Sequence, residues 1–246
     1  MQASAIGTPP LRQSPYFAEQ VNGMFDRLAA RYDLLNSLMT ARLHHRWRER
    51  AADRVELVPG ERVLDVGCGT GDLTLEIAGR VPGTELIGCD FSEPMLGRAR
   101  EKSARRGTRS VRFEHADALR LPYADASFDA VTTGFALRNL ADTDRGLAEL
   151  ARVVRPGGRV VVLDFTRPRR QPFSAFYSIW LDRIVPVLGA LAKDPGAYTY
   201  LPESVRAFHD PHELAAKMTH AGFENVRCLL LAGGIVTIHS GRRRVT

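Results

Sequence analysis

Three glycines at alternate positions close the run Val63-Leu64-Asp65-Val66-Gly67-Cys68-Gly69-Thr70-Gly71, and the next apolar run, Leu86-Ile87-Gly88-Cys89, ends on Asp90. This spacing has a chemical use. A glycine turn lets the backbone approach a ligand that a Cβ would hold off. A carboxylate one strand further on can accept hydrogen bonds from both hydroxyls of a ribose. The apolar residues at 63, 64 and 66 read as a buried parallel strand, and Asp72-Leu73-Thr74-Leu75-Glu76-Ile77-Ala78 reads as a helix. Strand, glycine turn, helix and acid together predict a nucleoside-binding crevice.

The glycine spacing narrows the nucleoside. Dinucleotide sites favour G-x-G-x-x-G, with the helix N-terminus facing a pyrophosphate. Here the pattern is G-x-G-x-G with Asp72 directly behind it. An acid there repels an anion and suits a ligand carrying a sulfonium and an ammonium. The segment resembles motif I of the class I S-adenosylmethionine (SAM) methyltransferases, which makes Asp65, Gly67, Gly69 and Gly71 expected donor contacts. A nicotinamide-binding half-domain is the alternative reading of the same glycines.

Two further segments carry polar residues where strands should end. In His115-Ala116-Asp117-Ala118-Leu119, Asp117 can accept from an adenine amine and Ala118 can offer its backbone N–H. A turn-capping aspartate is the alternative. In Phe135-Ala136-Leu137-Arg138-Asn139-Leu140, Arg138 and Asn139 fall where a methyl acceptor should face the donor. A salt-bridged arginine and a helix-capping asparagine would explain them equally well.

The elements that must position these residues alternate after Arg62. Strands are predicted at 62–66, 85–90, 111–115, 128–134 and 159–165. Helices are predicted at 72–80, from Ser92 with Pro94 in its first turn to Arg106, from Asp142 or Thr143 to before Pro156-Gly157-Gly158, and from Asp210 to Gly222. Two closing strands, 224–231 and 234–240, share a Gly233-Gly234 turn. The expected fold is α/β, a doubly wound, mostly parallel seven-stranded sheet with an antiparallel C-terminal edge hairpin. Residues 1–15 read as a disordered leader and 16–246 as one domain. Within it, 16–58 form a helical cap and 167–209 a substrate-side insertion, both over the carboxyl ends of the strands.

Composition sets outer limits. The chain has 246 residues, 44% of them hydrophobic, a net charge of +6 and a pI near 9.6. No apolar run reaches the ~18 residues of a membrane span, and no secretory signal is evident. Cys68, Cys89 and Cys228 form no metal-binding or disulfide pattern, so no metal is expected. The basic clusters at 98–109, 167–170 and 242–244 suit solvated faces or an anionic membrane surface. Their arginines are diffuse rather than interleaved with aromatics, which argues against nucleic acid.

A narrower resemblance appears upstream. Tyr32-Asp33-Leu34-Leu35-Asn36-Ser37-Leu38-Met39-Thr40-Ala41-Arg42-Leu43-His44-His45-Arg46-Trp47 resembles the N-terminal signature of the quinone-biosynthesis C-methyltransferases, Y-D-x-M-N-x-x-[apolar]-S-x-x-x-H-x-x-W. Tyr32, Asp33, Asn36, His44 and Trp47 match; Leu35 replaces Met, Thr40 replaces Ser, and Arg42 stands where Gly is common. Arg152-Val153-Val154-Arg155-Pro156-Gly157-Gly158 with Leu163-Asp164-Phe165 resembles the second signature, with Asp164 for Glu. Phe135-Ala136-Leu137-Arg138-Asn139 resembles F-G-[apolar]-R-N, and the segments 198–205 and 234–241 also match in pattern.

The resemblance spans about 16–241 and implies a SAM-dependent enzyme methylating a ring carbon of a prenylated hydroquinol, with demethylmenaquinol preferred over a benzoquinol. It implies that Thr74, Asp90, Asp117 and Ala118 touch SAM. Many relatives carry Ser where Gly134 stands, leaving only a backbone contact there. Arg138 and Asn139 become the catalytic pair, Arg138 as a fixed cation near the quinol oxygen rather than a base. Tyr32, His44 and Tyr200 become acceptor contacts. His44 and His209 are rival bases, or structural histidines. The segment 173–188 is either a lid helix or an apolar tail wall touching lipid. The expected location is the cytoplasm, with a peripheral position on the inner membrane face and a homodimer as further expectations. An RNA methyltransferase and a non-enzymatic SAM-binding domain are the competing readings.

Overall fold

The structure, a computed structural model, describes residues 17–81, 83–108, 110–166, 202 and 204–245. The leader 1–15, nearly all of the 167–209 insertion, the 173–188 segment and Tyr200 lie outside them. Seven strands form one sheet: β1 (Arg62–Val66), β2 (Glu85–Asp90), β3 (Val111–His115), β4 (Phe128–Gly134), β5 (Val154–Phe165), β6 (Phe223–Leu231) and β7 (Val236–Arg243). Their order is β3-β2-β1-β4-β5-β7-β6. The first five run parallel, and β7 runs against both β5 and β6. The hairpin is therefore interleaved: its second strand lies next to β5 and its first forms the edge.

The helices are α1 (Phe17–Leu28), α2 (Tyr32–Met39), α3 (Leu43–Asp53), α4 (Asp72–Ala78), α5 (Glu93–Arg106), α6 (Thr143–Val153) and α7 (Pro211–His220). Three start at side-chain caps legible in the sequence. The Ser92 hydroxyl accepts from Met95 N, Asp142 accepts from Arg145 N, and Asp210 forms a capping box with Glu213.

Alternation along the strands sorts the core onto two faces. Val63, Val161, Leu163, Phe165 and Ile238 join Trp47, Ala51 and Ile77 from α3 and α4. Leu64, Val66, Val160 and Val162 join Leu147, Leu150, Leu214 and Met218 from α6 and α7. Asp65 follows the parity of Val63, so it is aimed at α4.

β5 begins five residues before the predicted Arg159. Phe128 pairs with Val154 but Ala130 pairs with Arg159, so the strand bulges between them. Arg155 lies in that bulge and donates its Nε to Asp129 at 2.6 Å. The sheet order reverses between β1 and β4, and the crevice outside their carboxyl ends is where an open α/β sheet binds ligands.

Candidate active site

A cavity of about 390 Å³ opens at that crevice. Gly67, Gly69, Asp90, Asp117, Ala118 and Gly134 line it, and Asp65 reaches it from beneath. Gly67 holds φ +68°, and a Cβ there would lie 2.3 Å from the Ala136 Cβ. Gly71 plays a different part. It precedes α4 at φ +80°, where a Cβ would press on Ala99 and Phe113, so its lack of a side chain serves packing against α5 and β3.

Asp90 accepts from Gly69 N at 2.8 Å and from Ser92 N at 2.9 Å. Burial pushes its carboxyl up, while those amides pull it down. Asp117 accepts from Leu119 N at 2.8 Å, the turn-capping bond foreseen as an alternative, yet its side chain also lines the cavity. Asp65 is fully buried and accepts from Thr74 Oγ1 at 2.6 Å and Thr132 Oγ1 at 2.7 Å. Burial raises it from 3.8 to about 6 against these two hydroxyls. Thr74 is fully buried as well, with its hydroxyl committed to Asp65 rather than lining the cavity.

Asp72 is not the bare charge that its place in the sequence suggests. Lys102 Nζ from α5 lies 2.7 Å from it and Arg48 Nη1 from α3 lies 3.3 Å from it. Burial opposes ionisation, but the two cations hold the Asp72 carboxyl below its usual range. Lys102 also pairs with Asp33 at 2.6 Å, and Asp33 accepts from Thr70 Oγ1 at 2.6 Å. This network ties the helical cap to the glycine loop. It also removes the repulsion by which the sequence reading excluded an anion; the remaining acids Asp65, Asp90, Asp117 and Glu19 still leave the lining acidic.

A second, smaller cavity of about 70 Å³ adjoins the first. Its lining includes Met24, Leu35, His44, Arg138 and Phe165. Phe25, Tyr32, Arg48 and Phe135 line both cavities and form the wall between them. Arg138 and Asn139 sit in a 3₁₀ turn, Leu137–Asn139, directly after Phe135, which holds φ +60°. The Arg138 guanidinium donates to Asp164 Oδ1 at 2.8 Å and to the Phe135 carbonyl, and lies 5.3 Å from the Phe165 ring centroid. Asp164 is fully buried and also accepts from the Arg138 backbone N at 3.1 Å. Asn139 Nδ2 donates to the same Phe135 carbonyl at 3.2 Å. Arg138 thus faces the small cavity and Asn139 the large one.

His44 is 2% exposed, and burial, reinforced by Arg48, lowers it to about 4. It is neutral at neutral pH. Arg48 donates to Nδ1, which leaves the proton on Nε2, beside Ser37 Oγ at 3.1 Å. The lone pair a general base would need is therefore occupied. The His209 ring lies 5.3 Å from that of Phe208, tilted by 51°, and His209 lines neither cavity. Arg48, Asp164 and Lys102 were not singled out from the sequence as site residues; their roles come from contacts between distant segments. Among the described residues no group of His, Cys, Asp and Glu could hold a metal ion.

Known proteins share both sequence and fold with this chain. A model of the ubiE/COQ5 methyltransferase family matches residues 15–243. Demethylmenaquinone methyltransferase of Thermus thermophilus is 49% identical over 89% of this chain and 100% of its own length. The protein of the same name from Deinococcus radiodurans is 44% identical over 98% and 100%. Ubiquinone/menaquinone biosynthesis C-methyltransferase UbiE of Geobacter sulfurreducens is 40% identical over 92% and 89%. Among solved structures, a SAM-dependent methyltransferase from Aquifex aeolicus superposes with a TM-score of 0.62 at 20% identity, over 86% of this chain and 97% of that one. That likeness is one of fold.

Proposed function

The chain belongs to the ubiE/COQ5 methyltransferase family, and from that premise we propose that demethylmenaquinol is its methyl acceptor. It is a SAM-dependent C-methyltransferase of the quinone-biosynthesis type. The observation that carries the acceptor reading is the pair of cavities sharing one wall. The larger has an acid suited to a ribose, and the smaller has aromatic and aliphatic walls with one buried, fixed cation. The naphthoquinol choice is supported by the 44–49% relatives named demethylmenaquinone methyltransferase.

In this reading Asp90 accepts from the donor ribose, Asp117 and Ala118 meet the adenine, and Gly67, Gly69 and Gly134 offer backbone. Thr74 acts through Asp65. Bound SAM supplies a methyl group already activated on a sulfonium. The chain must hold the acceptor carbon in line with that methyl and favour the ionised hydroxyl beside the carbon. Arg138 does the latter: a cation within hydrogen-bond reach lowers an acid by roughly 1–3 pH units. Asp164 fixes its direction and neutralises part of its charge. Asn139, on the donor side of the same carbonyl, orients the reacting edge with water. Tyr32 and Phe135 form the aromatic gate between donor and acceptor. Tyr200 remains an expected acceptor contact.

The prenyl tail implies delivery from a bilayer, and the reading includes peripheral binding to an anionic membrane face. The exposed Leu34, Leu38 and Leu43, carried on the same two helices, α2 and α3, as the small cavity's Leu35, Met39 and His44, support this. Among the described residues no helix is long and apolar enough to cross a membrane. Flotation with anionic vesicles tests the surface, and the mass in solution tests a homodimer. The central experiment incubates purified protein with methyl-labelled SAM and either reduced short-chain demethylmenaquinone or its benzoquinol counterpart. Label in the naphthoquinol ring is expected; preferential labelling of the benzoquinol overturns the acceptor assignment.

A further inference from the structure

The lining of the larger cavity is one-sided in charge. Glu19, Asp65, Asp72, Asp90 and Asp117 contribute to it, and among the described residues Arg48 is its one cationic side chain. The donor is not purely cationic: its methionine end carries an α-carboxylate beside the ammonium. A carboxylate brought into an acidic, half-enclosed cavity needs a cation or is expelled.

Arg48 is built to receive one. Its side chain is 9% exposed, so it meets a ligand in poorly screened surroundings. Its Nη1 is shared between His44 Nδ1 and Asp72 Oδ2. Among the described residues no hydrogen bond engages Nε or Nη2, so one donor edge of the planar fork is left over. That edge is the half of a guanidinium that pairs with a carboxylate through two parallel bonds. Lys102 carries part of the demand of Asp72, which frees Arg48 from acting as its sole counter-ion. His44, held neutral, can accept from Nη1 and fixes the fork without adding charge.

The position also fits. The lining follows the strand order from Asp117 after β3, through Asp90 on β2 and the glycine loop after β1, to Phe135 after β4. Arg48 lies over the Phe135 ring, 5.6 Å from its centroid, at the β4 end. With adenine at the β3 end and ribose at β2, the amino-acid portion reaches β1 and β4. We propose that Arg48 binds the α-carboxylate of the donor through its Nε–Nη2 edge, with His44 and Asp72 as positioning residues. This rests on the SAM reading above but on no particular acceptor.

The test measures equilibrium binding of S-adenosylhomocysteine and of its decarboxylated counterpart, which lacks only the carboxylate, to the full chain. Wild-type protein is expected to prefer the carboxylate-bearing ligand by about 10- to 100-fold, the range of one charge-assisted pair. In Arg48→Gln that preference should collapse toward one, through loss of S-adenosylhomocysteine affinity alone. Arg48→Lys, which keeps charge but not the fork, should retain part of it and serves as the readout if Arg48→Gln fails to fold. Equal weakening of both ligands, or unchanged preference in the variants, overturns the assignment. Wild-type protein that binds neither thioether refutes the donor reading and the Arg48 assignment with it.

Discussion

Asp65→Asn should stabilise the fold while weakening the site. Asp65 is fully buried, and burial lifts it from 3.8 to about 6. An acid raised on folding opposes folding once it ionises. Below about pH 4 it is protonated in both states and costs nothing; as pH rises toward 6 the unfolded chain ionises first and stability is lost; above 6 the loss is constant. From 3.8 to about 6 that loss is roughly 3 kcal/mol. Asparagine has no charge to desolvate. Its oxygen can accept from one of the two threonine hydroxyls and its amide can donate to the other, at a cost of about 1 kcal/mol for the lost charge-assisted bonds. The net gain is about 2 kcal/mol at pH 8, or roughly 4–8 °C in Tm for a chain of this size. Thermal unfolding of wild type and variant at pH 4 and pH 8 measures it. A variant no more stable than wild type at pH 8, or a gain of equal size at both pH values, refutes the reasoning.

The same acid couples donor binding to pH: S-adenosylhomocysteine affinity should fall severalfold between pH 7.5 and pH 5 in wild type as Asp65 protonates and fall measurably less in Asp65→Asn, where only Asp90, also raised by burial, remains to titrate beside the ribose, by calorimetry. Arg138→Lys keeps a charge but loses the planar guanidinium whose Nη1 donates to both Asp164 and the Phe135 carbonyl; turnover should drop about 10- to 100-fold with donor affinity unchanged, and full turnover removes Arg138 from the mechanism. Gly67→Ala should cost about 2 kcal/mol or more in urea unfolding, since its Cβ meets Ala136 at 2.3 Å. Adding Ala136→Gly should recover the steric part and leave the positive-φ cost of about 1 kcal/mol.

What could be read from the sequence divides along physical lines. β1 to β4 have boundaries that alternation and turn residues mark, and the Ser92, Asp142 and Asp210 caps act within three residues of themselves. Gly67, Gly69 and Asp90 were legible because a crevice at a strand end is built from local pattern. The start of β5 was hidden, since Pro156-Gly157-Gly158 reads as a stop although Arg155 and Asp129 hold the bulge in the sheet. Asp72 shows the same limit in electrostatics: read by itself it is a repulsive charge, and its meaning changes once α3 and α5 bring Arg48 and Lys102 to it. Asp164 stands out in sequence only as a substitution for Glu, and Gly71 reads as a ligand contact until α5 is packed beside it.

The interior place of β7 has a consequence for how the chain is made. β5 pairs with β7 from Arg159–Arg242 to Phe165–Val236, and β6 reaches the rest of the sheet only through β7. A ribosome that has released residue 231 has therefore produced six strands, one of which has no lane to occupy, while β5 presents an apolar open border. Completion of the sheet waits for residue 243. A chain cut short before Val236 should emerge with β5 open along one side and β6 without any strand partner, the arrangement in which strands recruit other molecules instead of their own partner.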